Sequence, residues 1–425
     1  SSLPSLAPQS LSVAAAGALT SAAERLRDNY PYFHPLYVGQ MLKPPHPVAR
    51  LAYSLAMTIN PNNHALDGGR ASSAMEKEAV VEIARMFGFA EPTLGHLCGG
   101  GTMANFEALW VSRELRPGKA VAASAQAHYT HGRLSQVLGV PFVKLATDAR
   151  GRMDEGALVR ALESGEIGTV VATLGTTAAG TVDPLPRILE LARQHDVRVH
   201  VDSAYGGYFT LAGNLDPSVR AAYDAIPGAD SIVVDPHKHG LQPYGCGCVV
   251  FRDPSVGRFY RHDSPYTYFS STELHLGEIS LECSRAGAAA VALWTTMRAM
   301  PLVRGGEFAR GLEAGREAAR ALHAALVEDA GFRPLFPPEL DIVVWAAAAD
   351  TASAASERAR AIFDRAAEND LHLALATFPQ TLCEAAVPDL VWDREDLTCL
   401  RACCMKPEHR EWMPEIVRRL KAAVA

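Results

Sequence analysis

The sequence predicts an α/β protein, and two regularities carry that reading. Through the middle of the chain, short β-branched or apolar runs end in Gly, Asp or Thr, and each is followed by a stretch with apolar residues at three-to-four spacing. Such alternation predicts a mostly parallel sheet with helices on both faces, which places ligands at the carboxyl ends of its strands. From about Pro301 the pattern changes to long Ala/Arg/Glu helices separated by single strands, predicting a smaller C-terminal α/β domain. The expected division is an N-terminal helical and arm segment over 1–61, a large domain over 62–300 and the small domain over 301–425.

Taken in chain order, residues 30–61 are rich in Pro, His, Tyr and Asn with weak periodicity, and read as an ordered arm or loop covering a site. Strands are expected over 118–124, 169–174, 197–201, 231–234 and 246–251, with helices over 103–113, 154–164 and 185–195. Beyond the transition, helices are expected over 305–329 and 352–369, alternating with strands over 342–347 and 398–404.

Composition narrows the function. With 425 residues, 48% apolar and 20% charged, the chain can bury a large core. A net charge of −7 supplies no basic field for nucleic acid or an anionic membrane, so small-molecule partners are expected. The eight cysteines lack the paired Cys-x-x-Cys spacing of a zinc site and several lie in apolar runs; they read as buried free thiols, with no metal expected. No apolar stretch has the length of a spanning helix, and Ser1 to Arg25 lack the cationic start of a secretory signal, so a cytoplasmic location is expected.

The most telling motif is Val234-Asp235-Pro236-His237-Lys238-His239-Gly240, a lysine flanked by histidines directly after an apolar strand. Upstream, Val199-His200-Val201-Asp202-Ser203-Ala204 is a strand ending in a carboxylate followed by small residues. Together they point to pyridoxal phosphate, which needs four things from a protein. Lys238 is the amine that holds the aldehyde as a Schiff base. Asp202 is the carboxylate that keeps the pyridine nitrogen protonated, although a strand-terminal Asp also serves as a helix cap. Ala204 is small enough for a flat ring to lie over it. Cys98-Gly99-Gly100-Gly101-Thr102 is the anion cradle, where glycines allow close approach and an opening helix offers free N–H groups; Thr177, in Thr173-Leu174-Gly175-Thr176-Thr177, adds a hydroxyl. The turn lacks the Lys-Ser/Thr ending of a nucleotide-binding P-loop. His128, in Ala127-His128-Tyr129-Thr130-His131, is the flat group for the open ring face.

In this order, the motifs Gly-Gly-Gly-Thr-x-Ala-Asn, Ala-His-Tyr-Thr, Thr-Leu-Gly-Thr-Thr, His-Val-Asp-Ser-Ala-Tyr-Gly-Gly and Asp-Pro-His-Lys resemble the group II pyridoxal-phosphate-dependent amino acid decarboxylases, a family that includes glutamate, aromatic amino acid, tyrosine and diaminobutyrate decarboxylases. The resemblance covers most of the chain, from Tyr30 to Pro407. It implies the aspartate-aminotransferase-like fold, fold type I, with a mostly parallel seven-stranded sheet, and a homodimer with active sites at the subunit interface. It further implies that Lys238 carries the cofactor, Asp202 pairs with the ring nitrogen and His128 stacks on the ring. Gly100, Gly101 and Thr102 would then hold the phosphate, and His237 would contact cofactor or substrate carboxylate. Asp235 stands where relatives often carry Asn, and a carboxylate there repels a phosphate.

The implied reaction removes carbon dioxide from an L-amino acid and then protonates a quinonoid at Cα. In the family a tyrosine on a mobile loop gives that proton; Tyr266 and Tyr268 lie in the corresponding stretch, and the sequence does not choose between them. The arm around Tyr37 resembles the glutamate and cysteine-sulfinate branch, so Gln40 and Asn60 are candidates to hydrogen-bond a side-chain carboxylate, and Arg401 is a candidate carboxylate fork. An acidic substrate is slightly favoured over an aromatic one. The competing readings are another reaction of the same cofactor (an aldolase-type lyase, an aminotransferase or a decarboxylation-dependent oxidase) or a non-catalytic cofactor-binding protein.

Overall fold

A computed structural model describes residues 12–261 and 280–424. Tyr266 and Tyr268 lie outside the described residues. Among the described residues, eleven strands form two sheets.

The large sheet contains β1 (Leu94–Cys98), β2 (Ala120–Ser124), β3 (Phe142–Leu145), β4 (Ile167–Thr173), β5 (Arg198–Asp202), β6 (Ser231–Val234) and β7 (Gly247–Phe251), in the order β1-β7-β6-β5-β4-β2-β3. The pairs β3·β2, β2·β4, β4·β5 and β5·β6 are parallel, while β7 runs antiparallel to both β6 and β1. β1 therefore points the same way as β2–β6, and its carboxyl end joins theirs. The expected strands formed within two residues of their predicted ends. β1 carried no clear signal because Gly95 and His96 interrupt its apolar run; Gly95 is needed there, since a Cβ would meet the Val249 carbonyl at 2.7 Å.

Chain order continues the pattern with α1 (Val13–Leu26), α2 (Pro47–Met57), α3 (Leu66–Met86), α4 (Gly101–Leu115), α5 (Thr130–Leu138), α6 (Glu155–Glu163), α7 (Leu185–Gln194) and α8 (Pro217–Asp224). Strand alternation sorts the two faces. Val233 and Val249 pack under Ala104, Ala108 and Val111 of α4, whereas Val201, Ile232 and Val250 join Ile83 of α3 and Ile188 of α7. Every residue of β4 is buried, as expected for a strand covered on both sides. The Asp154 side chain caps α6, accepting from the Ala157 N–H at 2.7 Å, which is why the predicted helix begins there.

The C-terminal part holds α9 (Gly287–Ala299), α10 (Glu307–Val327), α11 (Ala352–Glu368), α12 (Gln380–Cys383) and α13 (His409–Ala422). Its sheet is β10-β11-β9-β8, built from β8 (Phe332–Pro334), β9 (Ile342–Ala347), β10 (Ala374–Pro379) and β11 (Asp396–Cys403), all antiparallel.

Residues 36–39 of the arm are stitched to the small domain: the Val38 N–H donates to the His372 carbonyl (2.9 Å) and the Cys403 N–H to the Val38 carbonyl (2.7 Å). Leu36 and Val38 complete that domain's core. The arm then forms α2, whose buried Ala49, Ala52 and Ala56 pack on α9; small residues allow this close approach.

Arm, α3, β1 and the segment before α9 converge on Glu76, which is 2% exposed. Its carboxylate accepts from Asn63 Nδ2 at 2.6 Å, the Leu97 N–H at 2.9 Å and Arg285 Nη1 at 2.5 Å. Removing the cation leaves a buried charge uncompensated, so Arg285→Met is expected to lower the unfolding free energy by about 3–5 kcal/mol. Urea denaturation measures this, and a loss below about 1 kcal/mol would contradict the role given to Arg285.

Candidate active site

The carboxyl ends of β1, β2, β4, β5 and β6 open into one cavity of about 690 Å³. The sequence-predicted cofactor residues lie on its wall: Gly100 to Thr102, His128, Thr177, Asp202 with Ala204, and His237 with Lys238. A slightly larger cavity of about 760 Å³ between the arm, α10 and α13 holds none of them.

Asp202 ends β5 and is 5% exposed. Its Oδ2 lies 2.8 Å from His131 Nε2, and its Oδ1 accepts the Ala204 N–H at 3.1 Å. Burial by itself would raise its pKa, but the His131 hydrogen bond and charge, the Ala204 N–H and the Lys238 ammonium hold it well below the ordinary carboxylate value. The carboxylate is thus ionised across the working range and can keep a proton on a facing ring nitrogen. His131 was missed by the sequence reading; its only signal was the spacing of three from His128, which puts it one helical turn on.

Lys238 follows β6, with Nζ 3.0 Å from Asp235 Oδ2. Burial would lower its pKa, yet the Asp235 charge and hydrogen bond, with Asp202, raise it above the ordinary value. Asp235 is 2% exposed, and its Oδ1 has no hydrogen-bond partner among the described residues. His237 Nδ1–H donates to the Cys246 carbonyl at 2.7 Å, and its ring lies 4.7 Å from that of Tyr244, another cavity residue outside the sequence-predicted set. Burial lowers the His237 pKa against the pull of Asp235. His128 is fixed by Thr130 Oγ1 at 2.8 Å from its Nδ1, and burial lowers its pKa too.

The glycine turn has the form of an anion cradle. Gly100, with φ of 151°, precedes α4, and no side chain caps the helix. A Cβ on Gly101 would meet Asp235 Oδ2 at 2.7 Å, and Gly247 lies so close that its Cβ would fall 2.5 Å from the Gly100 backbone. Uncapped N–H groups, a lysine amine and an ionised carboxylate on one wall fit the phosphate, aldehyde and ring nitrogen of pyridoxal phosphate.

The substrate candidates of the arm lie apart from this wall. Tyr37 is 5% exposed, its phenol packed among Tyr30, Tyr32 and His372, with burial pushing its pKa up to about 12. Asn60, at φ 49°, terminates α2, its N–H donating to the Ala56 carbonyl. Gln40 is exposed, and none of the three lines the cavity. The Arg401 guanidinium donates to the carbonyls of Ala178 (3.0 Å), Thr177 (2.7 Å) and Gly39 (3.3 Å). It fastens the Thr177 turn to the small domain and the arm.

Fold and site together define a class: a protein built to carry pyridoxal phosphate on a lysine at the edge of a doubly covered sheet. The model of the pyridoxal-dependent decarboxylase conserved domain matches residues 103–347, and the chain belongs to that family. The chain is 29% identical to an L-tyrosine decarboxylase of Enterococcus faecium over 385 residues, which cover 67% of this chain and 63% of that protein. It is 33% identical to a probable L-aspartate decarboxylase of Halobacterium salinarum over 261 residues, covering 60% and 71%. The chain thus matches less than two thirds of the Enterococcus protein's length. Among solved structures, mouse CSAD superposes with a TM-score of 0.82 at 20% identity, covering 98% of this chain and 90% of that one. Oryza sativa TDC with PLP and tryptamine gives 0.81 at 18%, covering 99% and 90%. At these identities the structures establish the fold.

His131→Phe removes the main interaction opposing burial, so the Asp202 pKa is expected to rise. Because the ionised form is the working one, the acid limb of the kcat/KM profile should move to higher pH, which a pH–rate series measures; an unmoved limb would contradict the pairing. The stability that Asp202 contributes is present above its unfolded pKa of 3.8 and is lost as pH falls through the lower folded value.

Proposed function

We propose that the protein decarboxylates an L-amino acid at Cα to the corresponding amine, using pyridoxal phosphate attached at Lys238. The observation that carries this reading is the shared cavity wall on which Lys238, Asp202, His128 and the uncapped glycine turn meet, in a chain of the decarboxylase family. When bound, the cofactor supplies an electron sink for the pair left at Cα. The chain's residues do the rest. Asp235 Oδ2, 3.0 Å from Lys238 Nζ, would orient the amine toward the aldehyde. Asp202 holds the ring-nitrogen proton, and His128 covers one face of the ring.

The cavity wall favours an aromatic over an acidic side chain, reversing the slight preference drawn from the arm. Met103, Phe106, Leu134 and Tyr244 are on it, and among the described residues its one Lys or Arg is Lys238. Among the described residues of this wall, a side-chain carboxylate meets no cation besides Lys238, while an aromatic ring finds apolar partners.

The active form is a homodimer. α1 buries none of its residues, leaving Val13, Leu19 and Leu26 exposed, and α2 turns Leu51, Leu55 and Met57 outward, with Ile59 just beyond. A second copy covers this apolar face.

Incubation with a panel of L-amino acids, with carbon dioxide and product measured, tests the reaction. Amine and carbon dioxide in equal amounts, faster from tyrosine than from aspartate or glutamate, are expected; keto acids or aldehydes without amine would sink the decarboxylase reading. Lys238→Ala should abolish the borohydride-trapped cofactor adduct. Leu51→Glu with Leu55→Glu should shift the sedimenting species from dimer to monomer.

A further inference from the structure

A buried polar chain runs beneath the cavity, from the sheet to the glycine turn. Asn105 Nδ2 lies 2.8 Å from the Gly101 carbonyl, Asn105 Oδ1 lies 2.8 Å from His200 Nε2, and His200 Nδ1 lies 2.8 Å from Ser231 Oγ. Asn105, His200 and Ser231 are 3%, 1% and 1% exposed. Chemistry fixes the direction of every bond. The Gly101 carbonyl only accepts, so the Asn105 amide nitrogen faces it and the amide oxygen faces His200. His200 must then donate from Nε2, which leaves Nδ1 to accept from the Ser231 hydroxyl. Burial lowers the His200 pKa to about 3, so the ring remains neutral and the direction is kept.

We propose that Asn105, His200 and Ser231 are positioning residues that orient the Gly101–Thr102 peptide toward an anionic phosphate. A trans peptide holds its carbonyl and N–H on opposite sides, so pulling the Gly101 carbonyl toward Asn105 directs the Thr102 N–H the other way, out of the helix start. Hydrogen bonding at the oxygen polarises the same peptide and strengthens its N–H as a donor. The chain also sets a span. His200 pairs in register with Ser231 and lies two residues before Asp202 on the same face of β5. One strand thus anchors both the phosphate turn, through Asn105, and the carboxylate for the ring nitrogen.

The proposal rests on the cavity being a pyridoxal phosphate site, and the test separates the two. Dissociation constants of the apo-protein for pyridoxal phosphate and for pyridoxal, which lacks the phosphate, are read by absorbance and tryptophan fluorescence. Asn105→Ala should weaken pyridoxal phosphate by about tenfold, the scale of one hydrogen bond to a charged group, while pyridoxal changes by less than about twofold. Ser231→Ala, a smaller perturbation that tests the chain if Asn105→Ala does not fold, should shift the affinity ratio in the same direction, and Ser231→Thr should restore it. Equal loss for both ligands, or an unchanged ratio in Ser231→Ala, overturns the proposal. Wild-type protein that binds neither ligand overturns the cofactor reading, and this inference with it.

Discussion

The site depends on keeping a carboxylate charged inside the protein. Asp202 is buried at the end of β5, where desolvation favours the neutral acid. His131 reverses that outcome at 2.8 Å, and it can do so because α5 starts directly after the His128 turn, bringing His131 to the carboxyl end of β5. Strand order, the β2–α5 turn and the closeness of Lys238 are therefore conditions for one ionisation state. A neutral Asp202 would face a ring nitrogen without the power to hold its proton.

Rigidity around that charge comes from close backbone packing and from the second domain. Gly247 approaches the Gly100 backbone so tightly that β7 has no room for a Cβ there, and in the anion turn a Cβ on Gly101 would meet Asp235. From the small domain, Asp341 reaches back across the interface: its Oδ1 accepts from Tyr205 Oη at 2.6 Å, and its Oδ2 lies 3.3 Å from His239 Nε2. Tyr205 belongs to the Asp202 loop and His239 adjoins Lys238, so one carboxylate contacts the two loops that carry Asp202 and Lys238. Arg401 does the same for the Thr177 turn. The two domains are thereby joined through the cavity's own walls.

What was legible in the sequence is what is local in the chain. Asp202, Ala204, His237, Lys238 and the glycine turn each stand in short segments where a strand end and its following loop carry the chemistry, and the structure brings them together. β1 was hidden because Gly95 answers a packing constraint from β7, far away in sequence, while the buried His96 Nε2 faces Glu107 Oε2 of α4 at 2.9 Å. Arg401 was legible as a cation on a strand, but not the carbonyls more than two hundred residues away to which it donates, since a lone arginine does not reveal its partners. Asn60 carried amide chemistry suited to a ligand, but its positive φ commits it to ending a helix. His131 and Asn105 were plain in the motifs, yet their partners Asp202 and His200 stand on β5, 71 and 95 residues further along the chain.

Asp235 poses the remaining electrostatic question, since a carboxylate beside an anion cradle repels what the cradle is meant to bind. Its position answers it. Asp235 Oδ2 is 3.0 Å from the Lys238 ammonium, so the two charges largely cancel for a phosphate arriving at the first turn of α4. An asparagine here would bring no charge to cancel but could not hold the amine by an ion pair, so the carboxylate fixes Lys238 and, paired with it, avoids opposing the phosphate.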